Sequence, residues 1–203
     1  VMKQAANYQK FKLPLLLLGR RPERVPAGFL GAVGVSPPLD LAACAAALER
    51  PLNRLYQLYF VRNLRRAYRE RQAARPDLYA PDLELGVGTV REYDQRITAP
   101  YGGYRDATDY YARSSAGPRL AAIRHRALVL AAQADPMIPI HSVERWPNSS
   151  AVTRQILATG GHVAEAEAEI IAEDIVAVAE AEAEVELAAA VVEAELEAAE
   201  TPE

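Results

Sequence analysis

Two side chains in this sequence have surroundings that suggest chemistry, Asp135 and His162. Asp135 stands in Ala134-Asp135-Pro136-Met137-Ile138-Pro139, a turn held by two prolines. His162 stands on a glycine loop, Thr159-Gly160-Gly161-His162-Val163. An aspartate that orients a histidine ring makes two of the three members of a nucleophilic triad. The imidazole takes the nucleophile's proton, and the carboxylate fixes the ring and stabilises its cation. Such a pair works only if both loops reach one place. Ala127–Ala132 is a short apolar run of the kind that forms a strand buried on both faces. A second strand-like run covers residues 152–158. In a parallel sheet the loops that follow two strands lie at the same carboxyl edge, where α/β enzymes place their reacting groups. Strand, acid, strand, histidine is therefore an arrangement that can bring the pair together.

Three further segments extend this pattern: Val35-Ser36-Pro37-Pro38-Leu39-Asp40-Leu41, then Arg91-Glu92-Tyr93-Asp94-Gln95-Arg96-Ile97-Thr98-Ala99-Pro100, then Asp109-Tyr110-Tyr111-Ala112-Arg113-Ser114-Ser115. With the acid and histidine loops, they resemble the YheT-type branch of the α/β-hydrolases, a group of esterases and acylglycerol lipases. The likeness covers roughly residues 15–163 and corresponds to the C-terminal half of such a protein. Acid before histidine is also the order of that fold, in which the serine comes earlier. The resemblance implies Asp135 as the triad acid and His162 as the base. It implies carboxylic ester hydrolysis through an acyl-enzyme, with no cofactor. It also implies a helical lid over the site, inserted at about residues 50–115.

The nucleophile does not carry over. Aligning Leu15-Leu16-Leu17-Leu18-Gly19 with the family's helix after the nucleophile puts its Gly-x-Ser-x-Gly-Gly elbow over about residues 6–11. Here those positions read Ala6-Asn7-Tyr8-Gln9-Lys10-Phe11. The elbow needs glycines because its serine occupies a strained, crowded turn. Tyr8 is bulky, and with a pKa of about 10 its phenol stays protonated. Ser36 ends the strand-like run at residues 30–35, yet the residue after it is Pro37, which has no N–H for an oxyanion hole. Losing one such donor costs on the order of a hundredfold or more in rate. Ser36 is read as a strand-end residue.

The 203 residues suit one domain, or most of one, and half of them are apolar. The net charge of −4 hides an uneven distribution. Residues 1–154 hold all 23 basic and 13 of the 27 acidic residues, a balance of +10. Residues 155–203 hold the other 14 acids and no Lys or Arg, a balance of −14. The expected organisation is a hydrolase-like unit over 1–163 and a helical Ala/Glu-rich tail over 164–203. In that tail Ile171, Val178, Val185 and Val192 recur every seven residues. Cys44 is the lone cysteine, which rules out an internal disulfide and suits a reducing compartment; it reads as a small buried residue. The apolar run Leu13-Pro14-Leu15-Leu16-Leu17-Leu18 is far short of the roughly 20 residues of a membrane span. A cytoplasmic protein is expected. No pair of His, Cys or acids has metal-ligand spacing.

Asp40 reads as the N-cap or first-turn acid of a helix over 39–48. From 50 to 75 runs a basic amphipathic stretch, with Leu52, Leu55, Tyr56, Tyr59, Leu64 and Tyr68 at helical spacing among many arginines. It could meet a membrane surface or anionic ligand. The preferred reading is a solvated lid helix whose arginine stems lie over its aromatics. Nucleic-acid binding is not expected, because the tyrosines fall where the helix would bury them. Asp94 reads as an acid that holds the lid by capping backbone or pairing with an arginine, and His125 as a surface residue before a strand. His141 reads as without chemistry.

The expected fold is α/β: a partial α/β-hydrolase with a short parallel sheet (30–35, 127–132, 152–158), a helical lid and a long C-terminal helix. The expected function is carboxylic ester hydrolase descent, on acylglycerols or short-chain esters, with the chain inactive as it stands. The alternative is a non-catalytic scaffold or association module that uses the basic lid and the acidic helix. Expected partners are a small-molecule ester or lipid, a membrane surface at the Arg-rich lid, and a second copy at the open strand edge.

Overall fold

The computed structural model describes residues 12–26 and 28–158. The elbow positions 6–11, His162 with its glycine loop, and the acidic tail lie outside the described residues. The chain forms two compact units, Val1–Val163 and Ala164–Glu203, and the described residues belong to the first.

Three parallel strands lie in the order β1-β2-β3: β1 (Ala32–Val35), β2 (Ala127–Ala132) and β3 (Val152–Leu157). Ala32 pairs with Ala127 and Val35 with Leu130, while Ala127 pairs with Val152 and Ala132 with Leu157. All six residues of β2 are buried, as expected of a central parallel strand with an uninterrupted apolar run. β1 is shorter than residues 30–35 because Leu30 is exposed and pairing starts only at Ala32. β3 ends one residue before Ala158.

The helix α1 (Lys12–Arg20) precedes the sheet, and its Leu15, Leu16 and Leu18 enter the main core while Leu17 points out. That core joins α1 to Val129, Ala131, Ile138 and Val143 around the sheet, and includes Cys44. Gly19 is required where α1 crosses the 3-10 segment Gly117–Ala122. A Cβ there would sit 2.5 Å from the Arg119 Cβ and 2.7 Å from its carbonyl oxygen.

Between β1 and β2 the chain builds a helical insert. It begins with α2 (Leu41–Leu48), a 3-10 turn (Pro51–Asn53) and the long α3 (Arg54–Ala74). It continues with α4 (Val90–Tyr93), a π-helical segment (Asp94–Thr98), α5 (Ala99–Tyr101) and α6 (Ala107–Ser114). Asp40 caps α2, accepting the Ala43 N–H at 3.0 Å, and also accepts from the Arg145 guanidinium at 2.9 Å. Thr89 and Glu92 form a reciprocal capping box at α4. α7 (Ile140–Glu144) lies between β2 and β3.

The long helix departs from the burial that its periodicity predicts. Val61 and Tyr68 pack with Val87, Tyr93 and Ile97 in a second core, and Leu64 joins its edge. Leu52 is 95% and Leu55 80% exposed, and Leu58, Tyr56 and Tyr59 are exposed as well. An apolar stripe fixes which face of a helix seeks cover; it does not supply the covering element. Here cover comes from residues 79–97 and reaches α3 over Val61, Leu64 and Tyr68, leaving its first turns bare. No helix among the described residues is long and apolar enough to cross a membrane.

Candidate active site

Asp135 is 7% exposed at the carboxyl edge of the sheet. Beyond β2 the ladder continues for one more bond, from the Gln133 N–H to the Leu157 carbonyl at 2.9 Å. The chain then turns, with the Asp135 N–H on the Ala132 carbonyl at 3.3 Å. The Asp135 Oδ1 atom accepts two backbone N–H groups, from Met137 at 2.8 Å and from Ile138 at 3.0 Å. These bonds offset part of the cost of burying a carboxylate and fix the plane of the group. Pro136 and Pro139 contribute no donors and hold the turn. Ser142 closes it, donating its hydroxyl to the Pro139 carbonyl at 2.6 Å.

Leu157, the last residue of β3, pairs with Ala132, three positions before Asp135. The chain therefore leaves β3 from the edge that carries Asp135. His162 comes five positions after Leu157 in the sequence and lies outside the described residues.

The insert is tied to this loop by a residue that the sequence does not single out. Asn53 stands where a helix cap would, yet its side chain does not cap α3. Its amide nitrogen donates to the Ala47 carbonyl and to the Pro136 carbonyl, each at 2.7 Å. Only the tertiary fold brings Pro136 to it.

The described serines do not form an elbow. Ser36 follows β1 at the same edge, with φ at +42°, a strained value for a non-glycine residue, and its N–H bonds the Leu130 carbonyl. Pro37 after it has no N–H to offer. The hydroxyls of Ser114 and Ser115 donate to the Tyr104 phenol oxygen and the Tyr111 carbonyl. Ser149 has a buried hydroxyl without a partner, but it precedes β3 and so lies toward the opposite edge.

Asp94 holds the insert through a tyrosine, accepting from the Tyr111 hydroxyl at 2.8 Å. His125 is half-buried with its ring edge-on to Phe29, and His141 is exposed on α7. Among the described residues no group of three His, Cys, Asp or Glu could hold a metal ion.

No family model and no solved structure matches the chain. Curated proteins do. YheT of Escherichia coli (strain K12), which carries an esterase name, is 38% identical over 136 residues, 65% of this chain and 40% of that protein. Phospholipase ABHD3 of Mus musculus is 30% identical over 152 residues, 68% of this chain and 37% of that one. Monoacylglycerol lipase of Saccharomyces cerevisiae is 31% identical over 144 residues, 65% and 31% of the two chains. The chain thus spans less than half the length of each of these relatives. With a parallel sheet, an insert between its first two strands and a buried acid at its carboxyl edge, the chain resembles the C-terminal half of the YheT-like α/β-hydrolases.

Proposed function

We propose that Asp135 and His162 are the acid and base of a carboxylic ester hydrolase acting on acylglycerols or short-chain esters. The observation that carries this reading is the buried Asp135 carboxylate, oriented by two backbone N–H groups where the chain leaves the sheet. In the reaction His162 takes the proton of the nucleophilic hydroxyl as that oxygen attacks the ester carbonyl. Asp135 orients the imidazole and stabilises its cation. The proton then passes to the leaving alcohol, and water, activated by the same histidine, releases the acid from the acyl-enzyme. The 203-residue sequence contains no Gly-x-Ser-x-Gly motif. The nucleophile is therefore assigned to a segment that this sequence does not hold, and the chain by itself does not turn over. The names of the relatives, an esterase, a phospholipase and a monoacylglycerol lipase, support the substrate class.

A second reading rests on α3. Its exposed Leu55 and Leu58, with Leu52 in the turn before it, accompany exposed Arg54, Arg62 and Arg66, a composition that suits peripheral contact with an anionic lipid surface. Such a module needs no catalysis.

A fluorophosphonate reagent and a chimera separate the two. The purified chain should not be labelled. Residues 15–163 fused behind the amino-terminal part of YheT, elbow included, should be labelled and should hydrolyse p-nitrophenyl butyrate. Asp135→Ala or His162→Ala in that fusion should then lower the rate by roughly 10⁴-fold, with circular dichroism unchanged. A folded chimera that is neither labelled nor active would favour the association module, and full activity in Asp135→Ala would overturn the acid assignment.

A further inference from the structure

The exposed side of α3 carries a single stripe at helical spacing: Leu55, Tyr59, Arg62, Arg66 and Arg69, alternately four and three residues apart. It lies away from Val61 and Tyr68, which are buried in the second core. Leu55 is 80% and Tyr59 41% exposed, and the side chains of Arg66 and Arg69 are each 65% exposed. The helix holds six arginines and one acid, Glu70. Glu70 pairs with Arg66 at 2.8 Å, and the buried Glu84 lies 3.8 Å from Arg69. Arg62 has no ion pair among the described residues.

The order of these residues discriminates between occupants. A helix that lies in a lipid surface keeps its apolar and charged residues on opposite faces along its length. Here one stripe is apolar at its first two positions and basic at the next three. Alternation of four and three residues is instead the seam spacing of a coiled coil. A helix laid on this stripe in the same direction must offer apolar side chains first and acids after them.

Residues 164–203 have that sequence. Ile171, Ile175, Val178, Glu182 and Val185 repeat the same spacing, apolar opposite Leu55 and Tyr59 and acidic opposite Arg66. Glu180, Glu184 and Glu186 flank Glu182, and residues 164–203 hold 14 acids and no Lys or Arg. Their alanine and glutamate content favours a helix.

We propose that the exposed stripe of α3 receives residues 171–186 of a second copy of the chain, as a parallel two-helix seam. The apolar residues supply the contact area. Glutamates 180–186 against Arg62, Arg66 and Arg69 set its direction and register, as charges do at interfaces. Exposed ion pairs alone add little, so neither end suffices without the other. Nothing in this contact depends on a nucleophile or on ester hydrolysis.

Sedimentation equilibrium of the full chain tests it. Association should weaken by about tenfold as NaCl rises from about 50 to about 500 mM, because salt screens the contacts between glutamate and arginine. The net charge of −4 would by itself give the opposite trend. Leu55→Ala, at a position already exposed, should weaken association by about fivefold to tenfold. Two charge reversals identify the occupant: Arg62→Glu with Arg66→Glu and Arg69→Glu, and Glu180→Lys with Glu182→Lys, Glu184→Lys and Glu186→Lys. Each variant alone should lose the salt-dependent association with circular dichroism unchanged. A mixture of the two should regain it, since each then offers the charge that the other's reversed segment requires. A chain that stays monomeric, a mixture that does not associate, or wild-type association in Leu55→Ala overturns the proposal. So does a monomer that binds phosphatidylglycerol vesicles through Leu55 and Arg62, which would give the stripe to a lipid surface.

Discussion

Asp106 accepts the N–H of Asp109 at 2.8 Å, capping α6, and lies beside the Arg105 guanidinium. The backbone bond first, and the arginine with it, hold its carboxyl below the ordinary value of 3.8. Asp109 is lowered in the same way, by the Arg105 N–H and then by Arg113. A depressed folded-state pKa stabilises above the ordinary carboxylate range, and that stabilisation is lost as pH falls through the folded value. Asp106→Asn keeps an acceptor for the cap but cannot titrate. Thermal melts from pH 6 to pH 2.5 should therefore show the wild type losing more stability on acidification than this variant. Parallel losses would mean that Asp106 contributes nothing to the pH dependence. Single residues differ in how visible they are before folding. Asp135 can be read because two prolines and two strand-like runs frame it locally. Asn53 cannot, since a bond to Pro136 exists only once distant segments meet.

The crossing of α1 over Gly117–Ala122 is an element-scale constraint that rests on one residue. With 2.5 Å and 2.7 Å to Arg119, a Cβ at position 19 has no room, and one of the two obstructing atoms is backbone. Gly19→Ala should destabilise by about 1–3 kcal/mol, the usual cost of overpacking a tight contact. In urea unfolding it should lower the midpoint and leave the slope unchanged; an unaltered midpoint would mean that α1 slides at no cost. The elements themselves were largely legible. β2 and β3 follow from apolar runs between turn residues, and α3 from its helical period. What periodicity left out was the partner of each face. Leu52 and Leu55 keep the spacing of core residues, and no described element covers them. The π turn at Asp94–Thr98 was also invisible, because one extra residue in a helix changes no composition.

At the scale of the whole molecule, the sheet matters more than any one contact. Among the described residues β1 pairs only with β2. Ala32 and Ser36 donate to Arg126 and Leu130 at 3.0 Å and 2.8 Å. By the alternation of a parallel ladder, the N–H groups of Val33 and Val35 point the other way. An edge of that kind recruits another strand. Sedimentation should therefore show concentration-dependent association of the chain, and Val33→Pro, which removes one outward donor and spares the β1–β2 ladder, should reduce it. Association that Val33→Pro does not change would place the contact elsewhere. The family was legible from motifs in order, because such motifs are local; the pairing of β1 depends on chain that no local pattern specifies.

The two bonds of Asn53 make the start of the insert a fixed point. Displacing residue 53 from the end of α2 or from the Asp135 loop gives up a 2.7 Å bond. The same amide joins the end of α2, at Ala47, to the Asp135 loop, at Pro136. The amide thereby holds the Pro136 carbonyl, next to Asp135, at a fixed distance from α2. A single asparagine thereby rivets the insert to the carboxyl edge of the sheet.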